Sequence, residues 1–167
     1  MEKNLIRAIL AHDSRWGIGK DGDLPWPKNS EDMKWFKECT NESVVVMGRN
    51  TWDSLPFSFC PLPNRYNVIV SNTLGTLDHL MVEVVKPDIY KSRLNILAST
   101  QDVWIIGGAQ LINSSLDIID ELWLNNVQGD YNCDTFLPKE QITEQFSAAS
   151  WEVKSFGTIT KWIKNDV

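Results

Sequence analysis

The chain has 167 residues, a net charge of −6 and 43% hydrophobic residues. This length fits one domain, residues 1–167, and the apolar fraction is enough for a core without disulfide or metal support. An acidic balance argues against a nucleic-acid partner, because phosphate binding needs an excess of lysine and arginine. No long apolar run follows the first residues, so we expect neither a signal peptide nor a membrane span.

The three cysteines, Cys39, Cys60 and Cys133, contain no C-x-x-C pair. An odd count without paired spacing predicts free thiols rather than a disulfide framework or a zinc site. Free thiols are typical of a reducing compartment, so a cytoplasmic protein is expected. The two histidines lie far apart in sequence, and no motif indicates a metal site.

Short apolar runs alternate with amphipathic or polar stretches along the whole chain. Strands separated by helical stretches imply right-handed parallel crossovers. We therefore expect a three-layer α/β domain with a mostly parallel central sheet flanked by helices and a C-terminal antiparallel hairpin. The predicted strands are residues 5–11, 44–47, 67–70, 81–85, 103–106 and 121–127, the predicted helices 29–40 and 110–117, and the hairpin 151–156 with 158–163.

Two predicted strands end in glycine. Residues 103–106 run into Gly107 and Gly108, which would let a ligand approach the main chain, although a plain tight turn is the simpler explanation of this pair alone. In residues 47–51, Arg49 and the Thr51 hydroxyl suit phosphate oxygens, although a solvated helix cap would look the same. Two such turns together suggest an extended ligand such as a dinucleotide, since open α/β sheets bind ligands at the carboxyl ends of their strands.

The segment of residues 16–26 combines three glycines with large apolar side chains. This mixture suggests a flap over an active site, or else a surface loop with a hydrophobic anchor. We call residues 16–26 the flap.

Asp32 lies early in the helix that follows, where Ser30 is the expected cap and Met33, Trp35 and Phe36 the expected buried side. An acid facing such a pocket is desolvated, which raises its pKa; a helix-start acid stabilised by the dipole is the alternative. Further on, the proline-rich residues 61–64 could aim Arg65 at a substrate carboxylate, or Arg65 could form a surface ion pair.

The order of these motifs resembles the dihydrofolate reductase family. The series runs from the first strand through G-I-G-x-x-G-x-L-P-W, an acid on the next helix, V-M-G-R-x-T-W, L-P-x-R, V-S-N, I-I-G-G-A and D-T-F-x-P. It spans residues 5–138, with the predicted hairpin behind it.

The resemblance implies hydride transfer from NADPH to the C6–N5 imine of 7,8-dihydrofolate, which yields tetrahydrofolate for one-carbon and thymidylate metabolism. It also implies a cis peptide bond between Gly107 and Gly108. Its catalytic candidates are Asp32, which would hold the pterin 2-amino group and N3, together with Leu24, Trp26 and Asn125. Its substrate-binding candidates are Ile9, Leu10, Ala11, Asp32, Met33, Phe36, Leu55, Leu62, Arg65 and Ile106. Its cofactor-binding candidates are Ala11, Ile18, Gly19, Gly48, Arg49, Asn50, Thr51, Ser71, Asn72, Ile106, Gly107, Gly108, Ala109, Gln110 and Leu111.

The chain departs from the family pattern at three positions. Asn125 replaces the usual threonine that bonds the acid, Ile112 replaces a tyrosine found near the nicotinamide in many members, and Gln110 replaces an arginine near the 2′-phosphate. An amide can still donate to a carboxylate, so activity is expected. Preference for NADPH over NADH then depends more on Arg49, Ser71 and Asn72.

Two rival functions remain. A riboflavin-pathway reductase of the same fold would lack the acid and the L-P-x-R arginine, both of which are present here. A non-catalytic pterin- or nucleotide-binding structural protein would be marked by loss of the acid. We expect an enzyme that acts as a monomer on a small-molecule substrate.

Overall fold

The computed structural model describes residues 4–21 and 24–166. A sheet of eight strands and a smaller sheet of two strands organise this part of the chain. The strands are β1 (Ile6–His12), β2 (Gly17–Gly19), β3 (Val44–Gly48), β4 (Tyr66–Val70), β5 (Val82–Val85), β6 (Val103–Gly107), β7 (Glu121–Asn126), β8 (Thr135–Phe136), β9 (Phe146–Lys154) and β10 (Gly157–Lys164). The helices are α1 (Ser30–Thr40), α2 (Arg49–Ser54), α3 (Tyr90–Leu97), α4 (Ala109–Ser115) and α5 (Lys139–Gln145), with a 3-10 turn at Phe57–Phe59.

The large sheet has the order β5-β4-β3-β6-β1-β7-β10-β9. The six strands from β5 to β7 are all parallel to their neighbours, and β10 runs antiparallel to both β7 and β9. This confirms the expected mostly parallel sheet with a closing C-terminal hairpin.

The core lies on both faces of this sheet, as two apolar clusters. The larger cluster joins one face to α3, α4 and α5 through Leu94, Ile112 and Ile142. The smaller one joins the other face to α1 and α2 through Phe36 and Trp52. Alternate residues of a strand point to opposite faces, which is why strands buried on both sides read as continuous apolar runs in the sequence. The three-layer arrangement is therefore as expected.

Several elements differ from the sequence-based predictions. The cap of α1 is Asn29, whose side chain accepts from the N–H groups of Glu31 and Asp32, whereas Ser30 is the first helical residue. β9 begins at Phe146, earlier than the predicted residue 151, because its first residues pair with the end of β10. The helices α3 and α5 and the small β2–β8 sheet were not predicted.

Weak local signals explain these omissions. In α3 the buried side consists of Tyr90, Leu94 and Leu97, spaced by four and three residues as a helix requires, but polar residues separate them. In α5 only Ile142 is buried. The β2–β8 sheet joins residues more than a hundred positions apart, and local patterns do not reveal such pairing.

No helix in the described part of the chain is long and apolar enough to cross a membrane.

Candidate active site

The carboxyl ends of the parallel strands meet along one edge of the sheet. The strand register places Ala11 beside Asn125, Met47 beside Gly107 and Gly48 beside Val70. The sequence-predicted residues at the ends of β1, β3, β4, β6 and β7 therefore share this edge, where ligands bind in open α/β sheets.

Asp32 is held at the start of α1, close to the end of β7. The Asn29 side chain accepts from the Asp32 N–H at 3.2 Å and fixes the first turn of the helix. Asn125 Nδ2 donates to Asp32 Oδ1 at 3.2 Å. Burial raises the pKa of the Asp32 carboxyl, and the hydrogen bond from Asn125 partly offsets this rise. Asp32 is thus the desolvated acid that the sequence indicated.

The Asn125 amide is fully buried and has hydrogen bonds on one side only. Its Nδ2 also donates to the Phe156 carbonyl at 3.4 Å, while its Oδ1 has no donor among the described residues. Gly157, at φ +148°, makes room for this oxygen, since a Cβ there would lie 2.1 Å from Oδ1. The hairpin turn and the amide beside the acid therefore depend on each other.

An apolar wall includes Phe36, which lies one helical turn after Asp32. Ile9, Phe36, Leu55, Leu62 and Ile106 belong to one cluster, the smaller of the two. Phe36, Leu55 and Ile106 are only partly buried, so they can still cover a flat ligand. The structure brings these predicted substrate contacts together.

Met33 does not belong to the buried side of α1, and Leu10 packs on the face of the sheet opposite the apolar wall, while their contacts with substrate stay predictions. The side chain of Leu10 packs against the larger cluster on the opposite face of the sheet, because strand residues alternate in direction. Met33 is half exposed and lies outside the α1 contact with the sheet. The end of the Leu10 side chain reaches Gly107, where a Cβ would meet Leu10 Cδ2 at 3.5 Å.

Arg65 is buried but has no carboxylate within salt-bridge distance among the described residues. Its Nε donates to the Pro63 carbonyl at 2.9 Å and its Nη1 to Thr40 Oγ1 at 3.1 Å. Burial lowers the pKa of Arg65. A buried cation with neutral partners is costly and favours an anionic ligand, so the surface ion pair is excluded as the explanation of Arg65.

Asn67, which the sequence analysis did not single out, shapes the loop that carries Arg65. Its fully buried side chain accepts from Leu62 N at 2.9 Å and donates to the carbonyls of Leu62 and Arg65 at 3.1 and 2.9 Å. The sequence signal for this role is an amide residue at the start of a buried strand that directly follows a proline-rich loop. The loop is consequently fixed rather than free.

Glycines open the sheet edge on the other side of β1. The Gly107–Gly108 peptide bond is cis, as expected. Gly107 has φ +129°, and a Cβ there would meet Leu10 at 3.5 Å and Thr51 Oγ1 at 3.7 Å. The ends of β3 and β6, with Thr51 between them, thus form a surface where a ligand can touch the main chain.

The residues predicted to bind the cofactor differ in their exposure to solvent. Arg49 Nη1 donates to Thr73 Oγ1 at 3.2 Å, which joins the start of α2 to the Ser71–Asn72 turn. Asn50, Asn72 and Gln110 are exposed. In α4, Leu111 and Ile112 are buried in the larger cluster. Ile112 is therefore a core residue and does not replace the polar contact that a tyrosine would make with the nicotinamide. Leu111 offers only its main chain to a cofactor.

The flap is anchored through its first residues. Gly17 and Gly19 of β2 pair with β8, and Ile18 is half-buried against the larger cluster. At the other end Trp26 is buried and contacts Tyr131 edge-on, with ring centroids 5.7 Å apart, while Leu24 is 56% exposed. Gly22 and Asp23 of the flap lie outside the described residues.

A polar cavity of about 600 Å³ borders Asp32 from the side of the hairpin, between Trp26, Asn126 and Phe156. It gives solvent a path to the acid. Among the described residues, no group of His, Cys, Asp and Glu side chains is arranged to hold a metal ion.

The thiols are expected to react slowly in the native protein. Burial raises the pKa of Cys39 and of Cys133 to about 11. Because the thiolate is the nucleophile, only about 0.1% of either group is reactive at pH 8. A disulfide reagent should label both cysteines slowly in buffer and rapidly in denaturant, and fast native labelling at either position would contradict this prediction.

The fold defines an α/β protein. The ligand edge of its sheet carries one acid, an apolar wall, a buried arginine and strands that end in glycine. A sequence model of the dihydrofolate reductase family matches residues 5–158. The chain belongs to the dihydrofolate reductase family.

Similar proteins include a dihydrofolate reductase of Schistosoma mansoni, 35% identical over 149 residues that cover 80% of this chain and 78% of that protein. A putative dihydrofolate reductase of human herpesvirus 8 is 36% identical over 82% of this chain and 71% of its own length. The bifunctional dihydrofolate reductase-thymidylate synthase of Glycine max is 35% identical over 82% of this chain. The chain spans only 28% of the length of that bifunctional relative.

Proposed function

We propose that this chain reduces 7,8-dihydrofolate to 5,6,7,8-tetrahydrofolate with NADPH as the hydride donor. The observation that carries the proposal is the desolvated Asp32 carboxylate, bonded to Asn125 and one helical turn before Phe36 of the apolar wall. Membership of the family and the relatives' names support the same activity.

In the proposed complex, the pterin lies against Ile9 and Phe36, with its 2-amino group and N3 donating to Asp32. An ionised carboxylate suits this contact because it only accepts hydrogen bonds. The glutamate tail leads to Arg65, whose guanidinium can bind a carboxylate through two parallel hydrogen bonds. Its burial without an acidic partner fits this role.

The residues at the other side of the cleft fit a nicotinamide dinucleotide. Gly107 and Gly108 expose main chain beside the end of β1, and Arg49 and Thr51 supply phosphate contacts at the start of α2. Ser71, Asn72 and Gln110 lie on the same edge. When bound, NADPH supplies the hydride from its C4.

The chemistry needs one hydride at C6 and one proton at N5. The protein residues orient the two ring systems, exclude bulk water and bias the pterin toward protonation. We assign the proton at N5 to a water admitted beside Leu24 and Trp26, with Asp32 as the anchor that polarises the ring. A protonated imine accepts hydride more readily, so proton supply matters as much as the placement of the cofactor.

The rival functions fit the site less well. A riboflavin-pathway reductase has no need of Arg65 or of the acid on α1. A structural protein that only binds a pterin or a nucleotide has no need of a desolvated carboxylate that accepts a hydrogen bond from a dedicated amide. Both residues are present and both are oriented by neighbours.

Steady-state kinetics test the proposal. Purified protein should oxidise NADPH only when dihydrofolate is present, and more slowly with NADH at equal concentration. Folded protein that leaves NADPH unchanged in the presence of dihydrofolate contradicts the proposal, whereas equal rates with both cofactors contradict only the preference for NADPH.

Replacement of Asn125 by Ala is expected to raise the pKa of Asp32 further, because the hydrogen bond that favours the ionised form is lost. The KM for dihydrofolate rises as pH falls through the pKa of Asp32, so this rise should begin at higher pH in the variant. The matched control is Asn125→Thr, whose hydroxyl restores a donor and should return the profile toward that of the wild type. Superimposable pH profiles for the wild type and Asn125→Ala would refute the role of the amide.

We also propose that the chain acts as a monomer in the cytoplasm without a nucleic-acid partner. The acidic net charge and the three free cysteines support this proposal. Sedimentation at micromolar concentration should give the mass of one chain, and a stable dimer would contradict it.

A further inference from the structure

Asp13 is a fully buried carboxylate that the proposed chemistry does not use. It follows β1 directly, ahead of the flap, and its side chain has no exposure to solvent. A carboxylate is rarely fully buried unless it is paired, so its surroundings call for an explanation.

The two carboxylate oxygens of Asp13 bind two different segments. Oδ1 accepts from the N–H groups of Arg15 at 2.9 Å and Gly17 at 2.8 Å. Oδ2 accepts from Tyr131 N at 3.1 Å and from the Cys133 thiol at 3.3 Å. One side chain thus joins the base of the flap to residues 131–133.

Four hydrogen bonds keep Asp13 ionised in spite of its burial. Burial raises the pKa of Asp13, but the hydrogen bonds from Tyr131, Gly17, Arg15 and Cys133 outweigh it and the pKa lies below the usual range. The Cys133 thiol, with its pKa of about 11, stays protonated and keeps its role as a donor. All four donors are therefore satisfied by an ionised, acceptor-only group.

The packing at this point leaves no room for a side chain at Gly17. A Cβ on Gly17 would lie 2.3 Å from Cys133 Cβ and 3.1 Å from Asp13 Oδ1. The N–H of Gly17 reaches the carboxylate only because this position has no side chain. Ile18 and Gly19, the first cofactor-binding candidates of the flap, come directly after this contact.

We propose that Asp13 is a positioning residue that sets the first residues of the flap, 16–19, at the cofactor side of the cleft by joining them to residues 131–133. The inference rests on the proposed function, since it assigns Ile18 and Gly19 to the cofactor side. Asp13 itself touches neither ligand and acts through the main chain of residues 15–19.

The test is Asp13→Asn, which keeps the size of the side chain but turns Oδ2 into an amide donor facing Tyr131 N–H and the Cys133 thiol. Leaving buried donors unpaired is costly, and we expect the dissociation constant of NADPH, measured by fluorescence titration, to rise about ten-fold. The KM for dihydrofolate should stay within about two-fold, because the pterin contacts lie on α1 and β1. Amide exchange at Gly17 and Tyr131 should accelerate while exchange at Val46 and Val68 in the sheet is unchanged.

The matched control is Asp166→Asn, which makes the same chemical change at an exposed position after β10, at the opposite edge of the sheet, and should alter none of these values. Faster exchange at Gly17 and Tyr131 with unchanged NADPH binding would overturn the proposal, because Asp13 would then hold the loops without positioning the flap. Equal losses for both ligands would overturn it as well, since they indicate general disruption.

If Asp13→Asn does not fold, Cys133→Ala provides the second variant, because it removes one donor and keeps the carboxylate. A rise of about two-fold in the NADPH dissociation constant is then expected, and no change would overturn the proposal. The titration and the exchange measurement do not require turnover. A wild type that binds NADPH but never reduces dihydrofolate therefore refutes the proposed function and leaves the test of Asp13 readable.

Discussion

Asp32→Asn is expected to lower the rate of dihydrofolate reduction near neutral pH by about 10²- to 10⁴-fold, the usual range for loss of an acid–base group. The amide neither carries the charge that polarises the pterin nor accepts from both of its N–H groups. NADPH binding should persist, because the cofactor residues lie beyond β1. Some turnover should return in acid, where the substrate is more often protonated in solution.

The fold should survive this change. Because burial raises the folded-state pKa of Asp32, the ionised acid destabilises the native protein once pH exceeds its usual pKa, and the effect is complete above the raised value. Asp32→Asn should therefore be at least as stable as the wild type at neutral pH. The matched control is Glu31→Gln on the exposed side of the same turn, which should retain turnover. An Asp32→Asn variant with normal activity would remove Asp32 from the mechanism.

Arg65→Gln is expected to raise the KM for dihydrofolate by about 10- to 100-fold with little change in kcat. Hydrogen bonds to charged groups contribute about 1.5–3 kcal/mol, and this contact lies far from the reacting atoms. The loss should therefore appear in substrate binding rather than in the chemical step. Initial rates over a range of dihydrofolate concentrations measure it.

A truncated substrate provides the control for Arg65. A dihydropterin that lacks the glutamate carboxylates should be reduced with equal kcat/KM by the wild type and by Arg65→Gln. If the variant loses as much with the truncated substrate as with dihydrofolate, then Arg65 supports the loop and does not bind the tail.

Much of the fold was predictable because the central strands are buried on both faces. Residues 44–47 and 103–106 are continuous apolar runs, and glycine ends each of them, so strand, turn and ligand edge follow from one pattern. The acid on α1 could also be predicted from the sequence, since it follows a glycine-rich segment and precedes aromatic residues at helical spacing.

What the sequence did not reveal depends on long-range contacts. Asp13 becomes a four-fold acceptor only when residues 131–133 fold against β1, more than a hundred positions away. Asn67 and Arg65 are close in sequence, but the burial that makes Arg65 an unpaired cation comes from Thr40 and the surrounding sheet. The packing directions of the Leu10 and Met33 side chains were not predictable, because a motif identifies a position in the chain and not the direction of its side chain.

Deuterium transfer tests the proposed reaction most directly. Wild-type protein mixed with dihydrofolate and NADPH labelled at C4 on the transferred position should yield tetrahydrofolate that carries one deuterium at C6, and Asp32→Asn should yield almost none in the same time near neutral pH. Product without the label at C6, or no product from folded protein, would contradict hydride transfer to a pterin held by Asp32.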